Sequence, residues 1–214
     1  MDLSYFFDHL DDIWSLSLEH LRISLSALLI AMPIALVVSI VGVWWRPSRQ
    51  LVLWIVGALY TVPSLAMLAF LIPSQGLGLR PTLILLVMYA QVFLVRNTIT
   101  ALTEVDASTL EAARGLGMTP FQVLRRVWLP LAMPVMLAGV RIAMITIIGL
   151  AILGGWVNAG GLGELLFSGI NTNNPPKVLA GLIAIVLLAL GTDLILRLLE
   201  SLTPVSRARR AARG

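Results

Sequence analysis

The chain has 214 residues, of which 58% are hydrophobic and only 12% charged, with a mean hydropathy of +0.94. A soluble domain of this length needs roughly twice that share of charge to cover its surface, so composition excludes an ordinary soluble enzyme. The absence of cysteine removes disulfides and thiolate-held metals, and the net charge of +4 is spread through loops and tail rather than gathered on one face, so no nucleic-acid footprint is present.

In chain order, the first 20 residues carry Asp2, Asp8, Asp11, Asp12 and Glu19 without a lysine or arginine, and read as an external segment, 1–20. The two histidines, His9 and His20, read as ordinary polar residues, because metal and catalytic centres need more convergent ligands. About 20 apolar residues cross a bilayer. The candidate segments are 21–43, 51–72, 131–153 and 178–199, with a shorter 82–95 that can extend to Ile99. The first is too long and too late for a cleaved signal peptide and has no basic region before it. The expected fold is all-α, an integral membrane domain over 21–199 with five helices, followed by a basic tail, 200–214.

The arginines orient this arrangement. Arg46 and Arg49 follow the first span, Arg96, Arg114, Arg125 and Arg126 lie between the third and fourth, and Arg207, Arg209, Arg210 and Arg213 fill the tail. The opposite side offers only Arg80 and Lys177. Positive residues stay in the cytoplasm, which predicts an outside N-terminus and an inside C-terminus. The tryptophans agree, with Trp44, Trp45, Trp54 and Trp128 toward the inner interface and Trp14 and Trp156 toward the outer one.

Within the spans, Pro63, with Ser64 beside it, falls in the middle of the second and predicts a kink whose freed carbonyl must be satisfied internally. Gly139 and Gly149 read as close-packing positions in the fourth span. Gly154, Gly155, Gly160, Gly161 and Gly163 follow a span rather than a strand, so they are not a nucleotide loop; they suit a short segment that folds back on neighbouring helices or meets a docked protein. Arg141 is the most informative charge. It lies ten residues beyond Leu131, about 15 Å into the bilayer. An arginine there must face protein or water. Asp193, the in-span carboxylate of the fifth helix, is within reach of its long side chain. The pair reads either as a lock between helices or as part of a transport path.

The segment 106–130, expected on the cytoplasmic side, reads as helix, glycine turn, helix. Asp106 can cap a helix from Ala107, while Ser108 and Glu111 offer a competing capping box two residues later. Gly115 and Gly117 stop it, and Thr119, Pro120 and Gln122 start the next. Pro130 marks the approach to the fourth span. From the residues alone, a surface loop with an interfacial amphipathic helix is the plainer alternative.

The spacing Glu111-Ala112-Ala113, then Gly117, Val127 and Leu129-Pro130 resembles the EAA loop of the permease subunits of bacterial ABC importers. "YTVPSLAMLAFLIP" (60–73), "VRNTITAL" (95–102), "LPLAMPVMLAGVRIA" (129–143) and "NAGGLGELLFSGI" (158–170) are similar to the permeases of osmoprotectant importers, which move glycine betaine, choline, carnitine and related quaternary amines. The family often has proline where Ala107 stands and a smaller residue at Trp156.

The resemblance implies that Glu111, Ala112, Ala113, Gly117, Val127, Leu129 and Pro130 couple the chain to a cytoplasmic ATP-binding subunit. Tyr60, Pro63, Ser64, Arg141 and Asp193 are the candidates for the translocation path, and among them the resemblance supports Pro63. It also implies an extracytoplasmic substrate-binding protein, a second permease subunit (a second copy or a paralogue), and residence in the bacterial cytoplasmic membrane. The chain itself needs no cofactor: nothing in it matches a phosphate-binding loop, its sole lysine is Lys177, and ATP is used by the partner. Permeases of methionine or other amino-acid importers are the nearest alternative. From other classes, an integral membrane enzyme using Glu111, Asp193 or His20, or a scaffold, remain as competing readings. No three of the tryptophans and tyrosines are expected to converge within the spans, which puts tight recognition of a quaternary amine on the separate binding protein.

Overall fold

A computed structural model describes residues 4–201, and these are helical throughout apart from turns. The tail arginines from Arg207 onward lie outside the described residues. A short helix α1 (Ser4–Asp8) leads into α2 (Leu10–Trp44), followed by α3 (Arg46–Thr61), α4 (Ser64–Gln75), α5 (Leu79–Thr103), α6 (Ala107–Gly115), α7 (Pro120–Val123), α8 (Leu129–Ala151), α9 (Leu162–Asn171) and α10 (Pro175–Ser201). A π-turn, Leu124–Trp128, joins α7 to α8, and a 3-10 segment, Ile152–Val157, follows α8.

Four stretches are long and apolar enough to cross a membrane: Leu10–Trp44, Leu79–Thr103, Pro120–Val157 and Pro175–Ser201. The pair α3 and α4 completes the count of five when taken as one broken span. The central helix is α5, packed between α2 and α8. Its Leu86, Ala90, Val95 and Ile99 are buried among Ala27, Ala31 and Ala35 of α2 and Ala143, Ile147 and Ile148 of α8. Small residues let the backbones approach, as van der Waals packing in lipid requires. At Gly139 an added Cβ would stand 2.5 Å from Asn97 Cβ, so α8 meets α5 there through glycine; Gly149 has open space around it and does not serve the close-packing role expected of it.

Three boundaries differ from the sequence reading. Helix α2 begins at Leu10, well before residue 21, and at 35 residues is about 52 Å long, more than a bilayer core needs. Asp11 and Asp12 sit in its first turn, where the helix dipole favours anions. His20 is fully buried in it, its Nε2–H donating to the carbonyl of Ile148 at 2.9 Å. The third span runs to Thr103, so Arg96 lies within a helix rather than in a loop. The fourth runs without interruption from Pro120, so Pro130 is part of a continuous helix rather than its threshold. The π-turn explains this tolerance. A proline ring collides with the carbonyl four residues back, here Arg126, and a wider turn moves that carbonyl aside.

The glycine-rich segment after α8 folds back on its own chain. A Cβ on Gly155 would lie 2.1 Å from the backbone carbon of Gly163, and one on Gly163 would lie 2.1 Å from the Ile152 carbonyl oxygen. Only glycine permits that backbone contact. Glu19 then accepts a hydrogen bond from the Gly161 amide at 2.8 Å, tying the fold-back to α2.

Candidate functional site

Three groups of residues singled out in the sequence occupy three different places. The first is the segment between α5 and α8. Asp106 caps α6: its Oδ1 accepts from the Ser108 amide and its Oδ2 from the Ser108 hydroxyl, both at 2.9 Å. The amide bond first, and the hydroxyl second, hold its carboxyl below the ordinary aspartate value. The competing start at Ser108 is thereby consumed as part of the Asp106 cap. Helix α6 ends where Gly117 takes φ +80° and the amides of Leu116, Gly117 and Met118 close onto the last carbonyls. Thr119 and Gln122 then form a reciprocal capping box with Pro120 in the first turn. Glu111 and Ala112 face solvent, Ala113 is buried, and Leu116 and Phe121 are 80% and 67% exposed. Val127 and Pro130 are half-buried and Leu129 is exposed. This end of the bundle is tied together by two long-range bonds. The Trp128 indole donates to the Leu102 carbonyl at 2.9 Å, and Arg49 donates to Thr103 Oγ1 at 3.1 Å. The segment, the end of α5 and the start of α3 therefore form one connected unit.

The second place is the break between α3 and α4. The sequence predicts a kink at Pro63; the structure has a full interruption, with Val62 and Pro63 extended and the flanking helices at 92°. Proline forces its predecessor out of the α region, which accounts for Val62. The Val62 carbonyl that the break exposes accepts a hydrogen bond from the Tyr89 hydroxyl of α5. Tyr60 and Tyr89, from separate helices, meet with ring centroids 5.9 Å apart, and Phe93 packs edge-on against Tyr60 at 5.3 Å. Ser64 opens α4 beside them. Counting tryptophans and tyrosines alone overlooked Phe93, which completes a three-ring cluster between α3 and α5.

The third place joins α8 to α10. Arg141 donates through Nε and Nη2 to Asp193 Oδ1, and through Nη1 to Glu200 Oε2, all at 3.0 Å. Asp193 Oδ2 accepts from Arg197 at 2.6 Å. The reach inferred from helix rise is real, but the sequence reading missed Glu200, because the fifth span was ended at residue 199. Among the described residues no group of three His, Asp or Glu could hold a metal ion.

Comparison with known proteins gives this geometry a context. The sequence profile described as "Binding-protein-dependent transport system inner membrane component" matches residues 31–203. A choline transport system permease protein of Bacillus subtilis (strain 168) is 37% identical over 192 residues, covering 89% of this chain and 88% of that protein. A glycine betaine/carnitine/choline transport system permease protein of the same organism is 35% identical over 182 residues, covering 85% and 84%. Among solved structures, an inward-facing methionine ABC transporter superposes with a TM-score of 0.70 at 27% identity, covering 84% of this chain and 92% of that one.

Proposed function

The chain belongs to the binding-protein-dependent transport system inner membrane components, a family of multi-pass transport permeases, and on that premise we propose that it is the translocation subunit of an ATP-driven importer of osmoprotectants. Its cargo is a quaternary amine of the choline, glycine betaine or carnitine kind. The named sequence relatives, at 35% to 37% identity, favour that cargo over methionine, whose transporter is more distant at 27%.

The observation that carries the reading is the doubly capped segment from Asp106 to Pro130. Helix α6 is a short rigid rod, stopped by Gly117, with Glu111 turned outward on it and Leu116 and Phe121 exposed just beyond it. A rod transmits a displacement that a flexible loop would absorb. We assign it as the element that docks in a cytoplasmic ATP-binding subunit. Its push passes through α7 and the π-turn into α8, and through the Trp128–Leu102 bond into α5. Helix α5 carries Tyr89 and Phe93 against Tyr60 beside the break, so the broken pair α3/α4 is the path-lining element of the proposal, with Pro63 and Ser64 at its corner. The Arg141–Asp193–Glu200 cluster acts as the lock that holds α10 to α8 while these helices move. A separate binding protein delivers cargo on the outer face, and a second copy or a paralogue completes the path.

The test is ATP hydrolysis by the reconstituted complex of permease, ATPase and binding protein. Hydrolysis stimulated by the binding protein loaded with a quaternary amine, and not by methionine, is the expected result. Stimulation by methionine alone would overturn the cargo, and no stimulation by any loaded binding protein would overturn the transport reading.

A further inference from the structure

Arg96 sits on α5 seven residues before its end at Thr103, about 10 Å along the helix, and forms no ion pair among the described residues. Its guanidinium lies across α3: Nη2 is 3.9 Å from the position a Cβ would take on Gly57. Tyr89, Phe93 and Arg96 follow one another at spacings of four and three, so they share a face of α5. That face meets Gly57 and Tyr60 of α3. Beside Arg96 the two helices leave a cleft of about 670 Å³ lined from α3 by Gln50, Trp54, Gly57 and Thr61; the Tyr60–Phe93 pair stands about one helical turn away, next to this lining rather than in it. An arginine without a counterion at this depth does not face lipid, so the cleft belongs to water, protein or cargo. Tyr60 is 46% exposed beside it.

Resting on the osmoprotectant reading, we propose that this cleft and the aromatic pair adjoining it form a weak, two-part cargo subsite for zwitterionic quaternary amines, in which Arg96 in the cleft receives the carboxylate and Tyr60 and Phe93, one turn along, receive the trimethylammonium group. The aromatic faces attract the cation through their quadrupoles. Tyr89, whose hydroxyl is committed to Val62, positions the Tyr60 ring. From Phe93 to Arg96 the helix rises about 4.5 Å, the scale on which a betaine separates its two charges. Arg96 is thus a specificity-determining residue. It supplies a forked, charge-assisted donor to glycine betaine and carnitine, and it repels choline, which carries the ammonium without the carboxylate. The site has one opposite charge and an open wall, so it stays weak enough to release its cargo.

Because the permease has no cysteine, Thr61→Cys places its single thiol in the cleft. The permease–ATPase complex carrying Thr61→Cys is assembled in lipid nanodiscs without the binding protein, and maleimide labelling of the permease is timed against glycine betaine and against choline. Betaine should protect at millimolar concentration, and choline should need at least about tenfold more, the low end for a charge-assisted hydrogen bond. This first comparison needs no change at Arg96. Arg96→Gln should raise the half-protecting betaine concentration about tenfold and leave choline equal or better. Arg96→Lys, which keeps the charge but loses the fork, should fall between the parent and Arg96→Gln for betaine. Equal protection by betaine and choline, or none by either, overturns the subsite, as does betaine protection that survives Arg96→Gln unchanged. Uptake by the full complex in proteoliposomes is measured in parallel. Import of a quaternary amine together with equal protection overturns the subsite alone, whereas absence of any such import overturns the cargo reading and the subsite with it.

Discussion

The Arg141 cluster makes a quantitative prediction because its donors are shared between two acids. Asp193→Asn keeps the side-chain size but removes the anion that takes two of the three guanidinium bonds. Charge-assisted hydrogen bonds contribute about 1.5–3 kcal/mol. The side chains of Arg141 and Asp193 remain 21% and 13% exposed, so solvent screening argues for the lower half of that range, about 1.5–2 kcal/mol. Glu200→Gln, with one bond and 24% exposure at the acid, should cost about 1 kcal/mol. Each single variant leaves Arg141 one counterion. The double variant leaves none, and a buried charge stripped of its partners costs about 3–5 kcal/mol, so the pair should match or exceed the sum of the singles, by up to about 2.5 kcal/mol. Adding Arg141→Met to the double variant should recover more than half of the loss, since the uncompensated charge is then gone. The assay is the thermal midpoint of the detergent-purified complex at one scan rate, read by size-exclusion chromatography after heating. A triple variant no more stable than the double would refute the argument that the arginine's charge, rather than lost packing, sets the cost.

Charge reversal at Glu111 (Glu111→Lys) or a branched residue at Gly117 (Gly117→Val, at φ +80°) should leave insertion and binding-protein contact intact while transport falls and association with the ATPase weakens; normal uptake by both would show that this segment does not couple. A reporter active only in the cytoplasm should work when fused after Gly214 and fail when inserted within 171–177, and the reverse pattern would refute the orientation drawn from the arginines. Tyr89→Phe keeps the ring but leaves the Val62 carbonyl without its donor, a loss of about 1–3 kcal/mol that should appear as a lower thermal midpoint; an unchanged midpoint would mean that water replaces the hydroxyl.

Much of the architecture was legible because lipid imposes a single rule, that a spanning segment be apolar for about 20 residues and internally hydrogen-bonded. Each of the five segments marked by hydropathy falls on a helix or on the broken pair. The caps were legible for a local reason: Asp106, Thr119 and Gln122 act within three residues of themselves, so their pattern survives without knowledge of the fold. Hydropathy fails where a helix carries charge. It ended the third span at Val95, with an extension no further than Ile99, where Arg96 follows, and started the first at Leu21, after Glu19 and His20. In both cases tertiary contacts, such as His20 on Ile148, continue the helix past the charge.

The same error concealed the most specific feature of the site. An arginine taken as the end of a span is counted as a topological marker and drops out of the search for cargo contacts. Placed instead on the face of α5 that carries Tyr89 and Phe93, it is a cation with no ion-pair partner among the described residues, one turn from an aromatic cluster. Rings and guanidinium come from two helices, and no periodicity within either helix announces their meeting. The break turns α4 away from α3 by 92° and exposes the Val62 carbonyl. Tyr89 answers that carbonyl, and in doing so fixes the ring against which Tyr60 rests. One proline thus creates the polar group that orders the aromatic cluster. A side chain chosen to satisfy a backbone defect comes, by position alone, to shape the surface that cargo would meet.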